Sequence, residues 1–275
     1  SDGEESSSLK VEKGLIEDMV RGIHVQNTGI SVVDVVETEF INLQDGIIMT
    51  NLHGMFDINI KDNNPIQFRQ YGVGYFNQNG TITDVLDIKD NTITQINGGN
   101  YPLMAGVRLS NESSLRRPQI MSNTIQAIEI GCNGIHLDRC RFSFVEENDI
   151  DHVGTQILIS RSGPSGIFVE EGESNVIFAN TIDYAITPGQ ANSRGVTAIN
   201  HPQGVYCCNS TDGHTVGLRF RGNSPGSIRQ NELNMHDIGL LCESSTAIGV
   251  QEHPGNQWLG TYSDASARHM GTETF

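Results

Sequence analysis

The chain has 275 residues, a formal net charge of -16, 36% hydrophobic residues and 30 glycines. Such acidity repels phosphate backbones, and with Arg116 and Arg117 as the one short basic pair it excludes a nucleic-acid partner. No run approaches the roughly 18 apolar residues that a membrane-spanning helix needs, so insertion into a bilayer is excluded too.

The opening stretch "SDGEESSSLK" is polar and reads as a linker over residues 1–14. Together with a tail over 263–275, it leads us to expect a piece of a longer chain. Between them, residues 15–262 carry two periodic signals. The first has the form I/V-x-x-N-x-I/L and recurs as "IKDNTI" from Ile88, "IMSNTI" from Ile120, "VEENDI" from Val145, "IFANTI" from Ile177 and "IRQNEL" from Ile228. Two looser copies, "IKDNNPI" from Ile60 and "VYCCNST" from Val205, extend it, the latter with Cys208 in the asparagine slot. The second signal is a glycine followed by alternating apolar residues, at Gly22, Gly46, Gly72, Gly106, Gly134, Gly166, Gly195, Gly217 and Gly239, at intervals of 22 to 34 residues. Asparagine follows five places later at Asn27, Asn51, Asn77, Asn111 and Asn200.

Two ladders in one phase relation predict coils of short parallel strands stacked about 4.8 Å apart, with alternate apolar residues turned inward. Glycine or asparagine at the corners tolerates the left-handed backbone of a sharp turn, and stacked asparagines bond one another's amides along the axis. The repeats resemble a right-handed parallel β-helix of the pectin-lyase-like superfamily, which implies an all-β solenoid of roughly nine coils. The stretches "VYCCNSTDGHTVGLRF" and "GVQEHPGNQWLGTY" further resemble repeat modules in large secreted surface proteins of Bacteroidota. That likeness implies an extracellular or cell-surface setting.

With the residue after each ladder glycine turned inward, the second and fourth after it form two outward lines. One runs His24, Ile48, Gly74, Arg108, His136, Phe168, Thr197, Arg219, Leu241. Its neighbour runs Gln26, Thr50, Phe76, Ser110, Asp138, Glu170, Ile199, Arg221, Glu243. The middle coils thus bring Arg108, His136, Asp138, Phe168 and Glu170 into one patch. Long insertions near 95–105, 154–165 and 184–194 precede that strand and are placed to wall a groove over it.

If the chain is an enzyme, Asp138, Glu170, His136 and Arg108 are the catalytic candidates, because carboxylates about 5 Å apart suit acid/base work on a glycosidic bond. Phe168, Arg219 and Arg221 are the ligand-binding candidates. Lyases of the resembled superfamily use an arginine base beside calcium-binding acids, and its hydrolases use clustered aspartates. Here a single acid per coil stands on this face, without an "NTD" or "DD" signature.

"GNSPG" matches a nucleophile elbow around Ser224, yet Pro225 has no N–H for an oxyanion and no helix follows, so it reads as a corner loop. His152, His201, His214, His236, His253 and His269 lack metal-ligand spacing, so no metal site is expected, and of cofactors only calcium is left open. Cys132, Cys140, Cys207, Cys208 and Cys242 form no disulfide framework and read as small core residues.

The expectation is a non-enzymatic structural or adhesive module of a secreted or cell-surface protein. It supplies a stiff body that contacts sibling subunits, neighbouring domains or surface polysaccharide. The alternative is a polysaccharide lyase or glycoside hydrolase acting in the groove.

Overall fold

The computed structural model describes residues 8–26, 32–52, 57–77, 85–96, 101, 104–111, 117–127, 132–152, 164–184, 192–243, 246, 248 and 255–270. Among these residues the chain is a right-handed parallel β-helix. Each coil gives one strand to each of three sheets, which hold nine, ten and ten strands, and every pairing is parallel.

The period sets the packing. In the first sheet Ile60, Ile88, Ile120, Val145 and Ile177 lie in register, and in the second Ile93, Ile125, Ile150 and Ile182 do. All of them are fully buried. Each such side chain contributes roughly 1.5–3 kcal/mol through burial. Parallel stacking repeats that gain at every level, since each aliphatic column shields the next from water.

The third sheet is the glycine ladder, and its nine glycines form one column. A Cβ on Gly106, Gly134 or Gly166 would sit 2.8, 2.6 or 2.9 Å from the carbonyl oxygen of the next ladder glycine. It would also press on the γ2 methyl of Ile125, Ile150 or Ile182 at 2.5, 2.5 and 2.1 Å. These glycines are therefore required by close approach inside a strand, where the sequence pattern suggested a turn.

The asparagines depart from expectation in a similar way. The left-handed residues at the first corner are Asp62, Asp90, Ser122, Glu147, Ala179, Cys208 and Gln230, with φ between 52° and 60°. Each ladder asparagine comes one place later, buried inside the corner. The left-handed residue turns the chain and the asparagine fills the space the turn creates. In the "VYCCNST" copy the ladder residue is consequently Asn209, with Tyr206 facing inward, and Cys208 is the corner. At the far end of the glycine-ladder strands, Asn51 and Asn200 do take the left-handed corner, a slot held elsewhere by Arg139, Glu171 and Gly222. Asn27 lies outside the described residues.

The eight asparagines Asn63, Asn91, Asn123, Asn148, Asn180, Asn209, Asn231 and Asn256 make a continuous chain. In each coil the backbone N–H and the Nδ2 both donate to the Oδ1 of the next coil's asparagine, the Nδ2 links spanning 2.9–3.0 Å. The same Nδ2 reaches back to a strand carbonyl of the preceding coil, as Asn148 does to Ile120 at 2.9 Å. Each amide from Asn63 to Asn231 thus bridges three levels. Thr38 occupies the slot before Asn63, its N–H donating to Asn63 Oδ1 at 3.0 Å.

The coils extend beyond the expected 15–262. Ser8–Glu12 pairs with Val32–Val36, and Ala265–His269 pairs with Ile238–Glu243. At the first of these ends Leu9 and Val11 pack against the core, an alternation that a polar opening obscured.

Overpacking inside a filled strand column typically costs 1–3 kcal/mol. Gly134→Ala is expected to lower stability by about that amount in urea unfolding, whereas Gly14→Ala, whose added Cβ meets nothing nearer than 3.5 Å, is expected to be near neutral. Equal effects from both substitutions would contradict the column.

Candidate functional site

The third sheet's outer face carries both lines that the sequence predicts. Arg108, His136, Phe168, Thr197, Arg219 and Leu241 stand in one register column, and Ser110, Asp138, Glu170, Ile199, Arg221 and Glu243 in the next. Asp138 and Glu170 are paired neighbours on adjacent strands. The three insertions expected to wall the groove lie largely outside the described residues.

The side chains of this face are tied to each other. Asp138 accepts from Ser110 Oγ at 2.9 Å and from Arg139 Nε at 3.1 Å, with Arg108 Nη2 at 3.9 Å. Glu170 holds His136 Nε2 at 2.8 Å, and the His136 ring lies 4.8 Å from that of Phe168. Arg219 grips Glu243 through Nε and Nη2 at 3.1 and 2.6 Å. Arg108 donates to the Tyr71 hydroxyl at 3.1 Å and lies 5.6 Å from the centre of the Phe76 ring, a cation–π distance. His136, Asp138 and Arg219 are buried despite pointing away from the core, while Arg221 is exposed and Phe168 half-buried.

This wiring bears on chemistry. A general acid must hold a proton near neutral pH, usually because burial raises its pKa. The hydrogen bond from His136 instead holds the Glu170 carboxyl below the ordinary glutamate range, outweighing the burial that pushes the other way. Asp138 has its acceptor oxygens occupied by a hydroxyl and a guanidinium. Both carboxylates are thus anchored, and Glu170 is held toward its ionised form.

Toward the N-terminal coils the same face opens into a pocket of about 420 Å³ lined by Arg21, His24, Asp45, Thr50, Tyr71 and Phe76. Burial raises the Asp45 carboxyl, against the pull of Arg21 at 3.5 Å. Its residues all lie on or beside the lines traced from the ladder glycines, although the sequence pointed to the middle coils.

Two further features escaped sequence reading. On the second sheet's outer face Asp151, Asp183 and Asp212 stack in register. Burial first, and then the charges of Asp212, Asp151 and Asp149, raise the Asp183 carboxyl. The signal was an aspartate three places after each of Asn148, Asn180 and Asn209. Among the described residues no group of three or more His, Cys, Asp or Glu is arranged to hold a metal ion.

The second feature is an apolar patch on the first sheet's outer face. There Phe144, Val176 and Val205, all half-buried, form one column, and Phe178 stands in the next between Glu146 and the buried Cys207. The preceding coils are polar on the first column, with Asp34, Asn59, Asp87 and Gln119, and place Lys61, Lys89, Met121 and Glu146 on the second. Phe142 at the neighbouring corner is exposed.

The remaining candidates serve the scaffold. Ser224 is buried, its Oγ donating to Arg221 O at 2.9 Å and accepting the His201 N–H at 3.1 Å, so the hydroxyl closes a corner. His152, His214 and His236 form a buried column with Tyr184 and Tyr262, with ring centres 5.4–6.3 Å apart. His236 Nδ1 lies 3.1 Å from both the His214 N–H and the His214 carbonyl oxygen, and its Nε2 lies 2.9 Å from Thr211 Oγ1. His152 Nε2 donates to Cys132 O at 3.2 Å while its buried Nδ1 has no partner, as a neutral ring requires. His253 lies outside the described residues. No known protein family matches the chain, and no curated protein or solved structure does either.

Burial lowers His152 and His201 to about 4 and pushes His214 and His236 down as well. An unfolded histidine titrates near 6.5, so below that pH the unfolded chain binds protons that the folded one refuses. The stabilisation is complete above about pH 6.5 and is lost as pH falls toward 4, by up to about 1.4 kcal/mol per pH unit for each ring. The melting temperature is expected to drop steadily between these values. A flat profile from pH 6.5 to 5 would contradict neutral buried rings.

Proposed function

We propose that this chain is a non-enzymatic β-helical module of a secreted or cell-surface assembly, a stiff body that meets sibling subunits through a flat sheet face. The observation that carries this reading is the apolar patch of Phe144, Val176, Val205 and Phe178. It stands on one face of a chain with a net charge of -16. Contiguous apolar surface on a rigid sheet favours association, and meeting there leaves the acidic faces apart. The occupied carboxylates of the third sheet support the absence of acid/base chemistry. The resemblance to pectin-lyase-like repeats and to surface proteins of Bacteroidota supports an extracellular setting.

The second reading is a polysaccharide lyase or glycoside hydrolase, or a glycan-binding face. It rests on Arg108 beside Asp138 and on the neighbouring pocket with Tyr71 and Phe76. Light scattering after size exclusion, with reducing-end and unsaturated-product assays on acidic polysaccharides with and without calcium, separates the two. The assembly reading expects a wild-type particle larger than one chain, a shift toward monomer in Phe144→Glu/Phe178→Glu, and no product. A monomer at every concentration, or product formation lost in Asp138→Asn, would overturn it.

A further inference from the structure

We infer that Cys207 and Cys208 constitute a vicinal dithiol that low-molecular-weight disulfides oxidise reversibly to a disulfide between adjacent residues. The two Sγ atoms lie 2.9 Å apart, and both face Gln230 Oε1, at 3.7 Å from Cys207 and 3.5 Å from Cys208. Cys208 is partly exposed at the corner and Cys207 is buried behind it. Cys132, Cys140 and Cys242 are buried in the core. The proposal is independent of the assembly reading.

The corner produces this geometry. Successive side chains of a strand point to opposite faces, which would part adjacent cysteines. Cys207 is the last residue of its strand, in register with Phe178 and Arg229. Cys208 follows in the left-handed conformation with φ 60°, and its N–H bonds Arg229 O at 3.1 Å. The turn folds the second side chain back beside the first. Asp62, Asp90, Ser122, Glu147, Ala179 and Gln230 take the same slot in other coils, and no thiol precedes any of them.

The exchange balances in two steps. The Cys208 thiolate attacks one sulfur of the small disulfide, forming a mixed disulfide and expelling one thiolate. The Cys207 thiolate then attacks Cys208 Sγ, closing the ring and expelling the second. Two protein thiol protons end on the two released thiols, and the small disulfide is the two-electron oxidant.

Adjacent Cα atoms lie about 3.8 Å apart, closer than the usual 4.4–6.8 Å of a disulfide, so the ring is strained and more easily reduced than an ordinary structural bridge. The hydrogen bond to Cys207 is the largest of the effects that raise the Cys208 thiol to about 11, so exchange quickens with alkaline pH. Arg229 is the charged neighbour acting in the opposite sense. Since Cys208 immediately precedes Asn209, ring closure acts on a corner of the asparagine chain.

Tryptic cleavage after Arg194 and Arg219 yields a peptide, residues 195–219, whose cysteines are Cys207 and Cys208 alone. The folded chain is incubated with glutathione disulfide, alkylated, digested and weighed. The expected peptide is lighter than its reduced form by two hydrogens and resists alkylation, and dithiothreitol restores two alkylatable thiols. Cys208→Ser is expected to give only an alkylated or singly glutathionylated Cys207. Two alkylated cysteines in the treated wild-type peptide, or a glutathione adduct that persists without closure, would overturn the proposal.

Discussion

A buried corner leaves polar backbone groups that water cannot reach, and a solenoid repeats that difficulty at every level. In this chain the amide of one asparagine per coil resolves it, since its Oδ1 receives two donors from the coil before and its Nδ2 reaches both neighbours. Leaving one buried donor or acceptor unmet costs about 1–3 kcal/mol, and each amide serves several. The chain also fixes register, because a slip of two residues keeps the same faces inward and an aliphatic core alone opposes it only weakly.

Register then decides the outer faces. Once the ladder glycines stack, Arg108, His136 and Phe168 must align, as must Ser110, Asp138 and Glu170. The third sheet answers with interlocking ion pairs, and the second leaves three aspartates over one another, where burial first and then their mutual charge raise the Asp183 carboxyl. The first sheet carries a short apolar run, Phe144, Val176 and Val205, between Gln119 and Ser227. One scaffold thereby presents three chemically different faces.

The columns of the third sheet were legible because glycine marks them unambiguously: any larger residue collides with the coil above. The inward positions were legible for the same reason as in any strand, an alternation of period two. The asparagine column was legible as a pattern while its mechanism was not, since side-chain amide bonding and tolerance of the left-handed region both favour asparagine. At "VYCCNST" two apolar residues adjoin, and choosing Val205 over Tyr206 as the inward one moved the slot by one residue. Tyr206 wins because its hydroxyl reaches His201 Nδ1 at 2.5 Å within the core. The histidine column has no linear spacing, for its members come from different coils. The role of Asp138 and Glu170 depended on which side chains already occupied them, which spacing does not encode.

Side-chain amide hydrogen exchange, resolved by NMR for individual asparagines, tests the central claim most directly. The account predicts that the Nδ2 protons of Asn91, Asn123, Asn148, Asn180 and Asn209 exchange as slowly as the strand amides around them. Exchange of those protons at the rate of the outward-facing Asn59 would show that the amides are not joined along the axis, and the explanation of register given above would fail.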